Sequence, residues 1–195
     1  MKIIEYPRAR RIILEPGDHY AAAQPEILST LLGSCVACCL YDPVKHIFGM
    51  NHFLLATQYP VLDGPVLTSD AGRYGIHAME LLINDLMKLG ANRLRLRAKC
   101  FGGSDILRIS VRTSLPTVGQ TNVDFIESFL NSENIPIVSA CLGGRQGLNI
   151  HFLGHDFSVR VKKIGAAKLS DVEHQEAHFW QKQIKAPEVG HLDTW

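Results

Sequence analysis

Apolar residues in this chain come in short runs bounded by turn chemistry. Residues 36–41 (Val-Ala-Cys-Cys-Leu-Tyr) form one such run, too short for a buried helix, and read as a strand. Asp42-Pro43-Val44-Lys45 follows as a turn: Asp suits its first position, and Pro presets the backbone angle at the second. Residues 47–55 continue as a further strand, and residues 27–32 are another short apolar run, ending at Gly33-Ser34. Ile76, Met79, Leu82, Ile83, Leu86 and Met87 have the spacing of an amphipathic helix over residues 74–89, with Gly90 placed to end it. Residues 94–100 alternate Leu94, Leu96 and Ala98 with Arg95, Arg97 and Lys99, the pattern of a half-exposed strand. A helix is expected at about 121–130, strands at 11–14, 135–139, 148–152 and 158–164, and a turn at Gly143-Gly144. Residues 170–185 read as a polar helix capped by Ser170 or Asp171. Irregular alternation of strands and helices predicts an α/β or α+β layered domain, not a regular doubly wound sheet.

Charge narrows the function classes. With 20 basic and 19 acidic residues, the formal net charge is +1, which argues against a nucleic-acid partner. No run approaches the ~18 apolar residues of a membrane helix, so no membrane insertion is expected. The first residues lack the apolar core of an export signal, and the cysteine count is five, odd and crowded at positions 35, 38 and 39. That is not a disulfide framework, and the expectation is a cytoplasmic, reduced protein.

The chemistry concentrates at Cys35 and His52. A two-residue hairpin turn centred on Pro43 and Val44 would place Cys35 directly across from His52, where facing Cβ atoms lie ~4.5–5.5 Å apart. An imidazolium beside a thiol favours the thiolate, and the imidazole can later protonate a leaving group. Gly33 and Ser34 would let the backbone turn sharply and aim amide N–H groups at a bound carbonyl. The plainer alternative is a buried cysteine acting as a small hydrophobe near a structural histidine.

Residues 32–43 (Leu-Gly-Ser-Cys-Val-Ala-Cys-Cys-Leu-Tyr-Asp-Pro) and 49–55 (Gly-Met-Asn-His-Phe-Leu-Leu) resemble the signature of the chemoreceptor glutamine deamidases (CheD). The resemblance continues through Arg73-Tyr74-Gly75, residues 78–84, Gly90-Ala91, Lys99, Phe101-Gly102-Gly103 and Gly143-Gly144, and so spans roughly residues 27–165. It implies hydrolysis of receptor glutamine side chains to glutamate, with methyl-ester hydrolysis credited to some members. It also implies a layered fold of mixed sheets packed between helices, shared with deamidating bacterial toxins. The family's nucleophile falls on Cys35 and its histidine on His52. Its third catalytic residue, a threonine six positions before the cysteine, falls on Ser29, with Thr30 next door. Cys141 stands where the family commonly has Asp, and Leu148 where a basic residue is expected.

Three segments are therefore expected: a lead-in at 1–26, a deamidase-like catalytic domain at 27–165, and a helical tail at 166–195. The implied partners are the cytoplasmic domain of a methyl-accepting chemoreceptor, as substrate, and a CheC-type phosphatase. The reading from another class is a non-catalytic chemotaxis protein that binds either of them. No cofactor and no metal is implied. Cys35 and Cys38 form a C-x-x-C, but strand alternation would point them to opposite faces, against a redox pair. His174 and His178, or His151 and His155, have i, i+4 spacing but no third ligand, and read as solvated or structural. Arg93, Arg95, Arg97 and Lys99 read as a solvated basic strip able to steer an acidic partner.

Overall fold

In the computed structural model, residues 1–7, 9–55, 66–106 and 116–185 are described. They form two five-stranded sheets. The first has the order β1-β2-β4-β9-β10, from β1 (Lys2–Tyr6), β2 (Ala9–Ile13), β4 (Ile27–Leu32), β9 (Leu148–Leu153) and β10 (Val159–Lys163). The second has the order β3-β6-β5-β7-β8, from β3 (His19–Ala22), β6 (Ile47–Asn51), β5 (Val36–Asp42), β7 (Arg97–Gly102) and β8 (Ile137–Leu142). One parallel pair in each sheet, β2 with β4 and β7 with β8, makes both sheets mixed. Helices are α1 (Asp70–Lys88), α2 (Val118–Ser132) and α3 (Ala166–Lys185). The layered α+β expectation is met.

Two cores explain the apolar runs. Ile12, Leu28, Leu32, Ile150 and Phe152 of the first sheet meet Cys35, Ala37, Cys39, Phe48 and Met50 of the second. On the other side of the second sheet, Val36, Cys38 and Leu40 pack against Met79, Leu82, Ile83 and Leu86 of α1 and Phe125, Ile126 and Phe129 of α2. β5 is thus covered on both faces, which is why its sequence is continuously apolar rather than alternating. Cys35 and Cys38 do face opposite cores.

Four local expectations change. The lead-in carries three strands rather than the one expected at 11–14: β2 pairs with β4 and β3 with β6, so residues before β4 complete both sheets. The β5–β6 connection is longer than a two-residue turn, because Asp42 faces Ile47 and the loop runs through His46 at φ 53. Residues 93–95 form a 3-10 turn rather than a strand, leaving Leu94 94% exposed. The tail helix begins at Ala166, upstream of Ser170 and Asp171.

One carboxylate accounts for two of these changes. Asp42, fully buried, accepts backbone N–H groups of Val44 and Lys45 through Oδ1 and of Asn92 through Oδ2. It also takes the Arg95 guanidinium at 2.8 Å. The wide loop and the 3-10 turn both wrap this group. Most of the basic strip is engaged within the fold as well: Arg93 pairs with Glu80 and Glu133, and Lys99 donates to the Phe157 carbonyl, while Arg97 is exposed.

Burial works against the Asp42 charge, but Arg95 and the three backbone amides outweigh it and hold the carboxyl well below the ordinary 3.8. A carboxyl lowered on folding stabilises the fold above its unfolded pKa, and that contribution is lost as pH falls below it. Asp42→Asn is expected to cost about 3 kcal/mol in denaturant unfolding at pH 7, with the gap to wild type closing below about pH 4. A pH-independent gap would contradict this role.

Candidate active site

The segment Gly33-Ser34-Cys35 carries the chain from β4 in the first sheet to β5 in the second. Its carbonyls are each held by a donor from elsewhere. The Ser104 amide donates to Gly33 O at 2.8 Å, Asn122 Nδ2 to Ser34 O at 2.8 Å, and the Gly103 amide to Cys35 O at 2.7 Å. Tying back the Gly33 and Ser34 carbonyls turns the Ser34 and Cys35 amides to the other side, where the Gly33 amide joins them. There they meet the carboxylate of Glu176 from α3. Gly33 N and Cys35 N donate to Oε1 at 2.8 and 3.2 Å, and Ser34 N and Ser34 Oγ donate to Oε2 at 2.8 and 2.6 Å. Gly33 is required by the close approach: a Cβ there would collide with Ile106 and lie 3.0 Å from Glu176 Oε2.

Cys35 and His52 come together beside this carboxylate. Ligating atoms of Cys35, His52 and Glu176 all lie within 4.8 Å of one another. The pairing is diagonal rather than direct, since Val36 bridges Phe53. The register differs from the expected one by an even step, so both side chains stay on one face. His52 Nδ1 lies 2.8 Å from Thr30 Oγ1, whose hydroxyl also lies 2.8 Å from the Leu14 carbonyl. A hydroxyl has one proton, and a carbonyl can only accept, so Thr30 donates to Leu14 and accepts from His52 Nδ1–H. The lone pair therefore sits on Nε2, which is buried with no hydrogen-bond partner among the described residues.

Ser29 does not reach this histidine, a correction to the position expected from the interval. Its hydroxyl lies 2.8 Å from His151 Nδ1 and accepts from Arg11 Nε at 2.9 Å. Ser29 and Thr30 are consecutive on β4 and so point to opposite sides. Thr30 shares parity with Leu28 and Leu32, both in the core between the sheets, and Ser29 does not.

The environment keeps both reactive groups uncharged. Burial, and then the charge and hydrogen bonding of Glu176, push the Cys35 thiol well above its ordinary value. Burial lowers the His52 imidazole to about 4, against the opposing pull of Glu176. The expected thiolate–imidazolium pair is therefore absent here, because burial and the Glu176 charge act together on Cys35. The Cys35, His52 and Glu176 atoms are close enough for a cation, yet three amides and a hydroxyl already claim the carboxylate. Such donors suit an anion.

Glu176 carried no sequence signal beyond its place on a polar helix. Asn122 and Ser104, which orient the segment, also lie on elements whose periodicity says nothing about the site. His174 and His178 are exposed on α3, His155 sits beside Asp156 at the surface, and no metal cluster joins them among the described residues.

Comparison with known proteins gives one consistent family. Residues 63–163 match the family model described as CheD chemotactic sensory transduction. A Geobacter sulfurreducens protein named "Probable chemoreceptor glutamine deamidase CheD 1" is 44% identical over 191 residues, covering 95% of this chain and 94% of its own. "Probable chemoreceptor glutamine deamidase CheD 2" of Shewanella oneidensis is 47% identical over 150 residues, covering 76% of this chain and 74% of its own. A second protein from that organism, of the CheD 1 name, is 37% identical over 180 residues, covering 92% and 85%. Among solved structures, the Bacillus licheniformis hypothetical protein YfiH covers 64% of this chain and 51% of its own at TM-score 0.36 and 16% identity, too slight a likeness to bear on the fold.

The buried neutral histidine has a consequence for stability. The unfolded chain protonates His52 below about its ordinary 6.5, whereas the folded protein resists to about 4. Stability from this group is thus complete above pH 6.5 and lost as pH falls toward 4. Between pH 7 and pH 4, wild type is expected to lose up to about 3 kcal/mol more than His52→Gln in urea unfolding. Parallel pH profiles would contradict the buried neutral imidazole.

Proposed function

The chain belongs to the CheD family, and we propose that it deamidates glutamine side chains of chemoreceptors, with Cys35 as nucleophile and His52 as base. The observation that carries this reading is the convergence of three backbone amides beside a thiol and an imidazole whose free nitrogen is Nε2. The thiol proton passes to Nε2 as Sγ attacks the amide carbon. The resulting oxyanion is received by the amides of residues 33–35, donors that need no rearrangement as charge develops. His52 returns the proton to the departing ammonia, then takes one from the water that cleaves the thioester to glutamate. Thr30, anchored on the Leu14 carbonyl, holds the imidazole in the tautomer this sequence requires.

Each turnover replaces a neutral amide with a negative carboxylate, so the product changes the electrostatics of a receptor helix bundle. The proposed substrate is the cytoplasmic domain of a methyl-accepting chemoreceptor, and a CheC-type phosphatase is the proposed second partner. No described helix is long and apolar enough to cross a membrane. A purely binding role leaves the Thr30–His52–Cys35 arrangement without a purpose, which favours the enzymatic reading.

The direct test is mass spectrometry of a receptor cytoplasmic fragment after incubation. Wild type is expected to add about one mass unit at each target glutamine, and folded Cys35→Ala none. Full activity in that mutant would remove Cys35 from the mechanism.

The hydroxyl assignment has its own test on the same fragment. Thr30→Ala should lower turnover by about 1–3 kcal/mol of transition-state stabilisation, and Thr30→Ser should restore much of it. Ser29→Ala, which loses only contacts to His151 and Arg11, should fall by less. The reverse order would return the role to Ser29.

A further inference from the structure

Cys35 is 0% exposed and His52 2%, so in this conformation no substrate side chain can reach them. Among the described residues, α3 covers Cys35 and the loop amides through Glu176. One face of the helix docks: Val172 and Glu176 are buried, and Phe179 and Trp180 pack against the core between the sheets. His174, Gln175 and His178, on its other sides, are exposed.

Glu176 could be no more than a strut for the loop, but four features argue for more. The Ser34 and Cys35 amides share peptide planes with the Gly33 and Ser34 carbonyls, which are held by Ser104 and Asn122, neither of them on α3. These two amides of the anion pocket therefore do not depend on Glu176 for their direction. A ring nitrogen of His52 and the Cys35 sulfur lie within 4.8 Å of each other and of the carboxylate, and His52 Nε2 is buried with no hydrogen-bond partner among the described residues. A glutamate side chain is also the product that glutamine hydrolysis would leave in this pocket. Docking is held back as well, because Trp180 Nε1 and Gln183 Oε1 are buried with no hydrogen-bond partner among the described residues. Unsatisfied polar atoms of this kind disfavour the closed state.

We propose that α3 is a built-in product mimic, with Glu176 filling the subsite of the target glutamine, and that substrate enters as a glutamine carried on an α-helix that displaces α3. This rests on the reading of Cys35 and His52 as the hydrolytic pair. The closed chain is then self-inhibited, and a receptor helix opens it by competing for the same amides. Docked Glu176 also places negative charge beside the thiol, so displacement both admits substrate and removes a charge that opposes thiolate formation.

The test uses full-length Glu176→Ala and, as a second route to an open site, Val172→Asp, which unseats the helix while keeping Glu176. Both folds are checked by thermal unfolding. Iodoacetamide modification of Cys35 is expected to accelerate at least about tenfold in each, since the thiol no longer waits on local opening. On a helical receptor fragment, KM should fall in Glu176→Ala with kcat little changed. Alkylation and KM at wild-type values in both folded variants would overturn the proposal. Alkylation reads occupancy without any turnover, so an accelerated thiol with no deamidation of the fragment would retain the occlusion of Cys35 by α3 and overturn its identity as a product mimic.

Glu176→Gln supplies a further readout. Cys35 Sγ would bond to the carbon of the introduced side-chain amide, and the C–N bond would break as ammonia leaves with the proton from His52. Water would then cleave the thioester to regenerate Glu176 and the thiol. A gain of about one mass unit in the intact variant, blocked by adding Cys35→Ala, would support the proposal.

Discussion

The carbonyls of Gly33, Ser34 and Cys35 are each claimed by a donor from a distant part of the chain, and the rest of the site follows from that restraint. Fixing a carbonyl fixes its peptide plane and hence the direction of the following amide. The donors come from the end of β7 and from α2, so the pocket is built where the second sheet, its covering helix and the crossover from the first sheet meet. A loop crossing between sheets without such ties would offer its amides to whatever lay nearby. Tied, it presents a preset cluster of partial positive charge, which is what an acyl-transfer centre needs and what a neighbouring carboxylate also seeks.

That double suitability gives the site two states. With Glu176 docked, burial and a fixed negative charge keep the thiol protonated, and burial keeps the imidazole neutral. The same groups, opened to a substrate amide, have the proton on the sulfur, the lone pair on Nε2 and the donors in place. The restraint on His52 lies on the far side of the ring, at Thr30 and Leu14, and does not depend on whether α3 is docked.

Much of the layered fold was legible because local patterns report burial. The uninterrupted apolar run of β5 and the spacing of Met79, Leu82, Ile83 and Leu86 identify a strand covered on both faces and the helix covering it. Of the lead-in strands, β2 falls on the strand expected at 11–14, whereas β1 carries exposed charge at the sheet's edge and β3 is four residues long, so that only their partners define these two. The β5–β6 register depended on where the Asp42 side chain finds its donors, a tertiary fact. Cys35 and His52 could be singled out from thiol chemistry, motif and an approximate register. Thr30 could have been preferred to Ser29 by its parity with Leu28 and Leu32, but Ile27 and Leu31 are also apolar and blur the alternation. Glu176 could not be found at all: it lies 141 residues from Cys35 on a helix whose sequence is polar.

If Cys35 attacks a glutamine carried by a receptor helix, a thioester joining the two chains must form during turnover. Acid quenching of the enzyme with a receptor fragment, followed by mass spectrometry of the intact mixture and its peptides, would capture it. The expected species has the mass of enzyme plus fragment less ammonia, is linked at Cys35 and is discharged by hydroxylamine. Steady conversion of glutamine to glutamate with no such adduct, or an adduct on another residue, would contradict this chemistry.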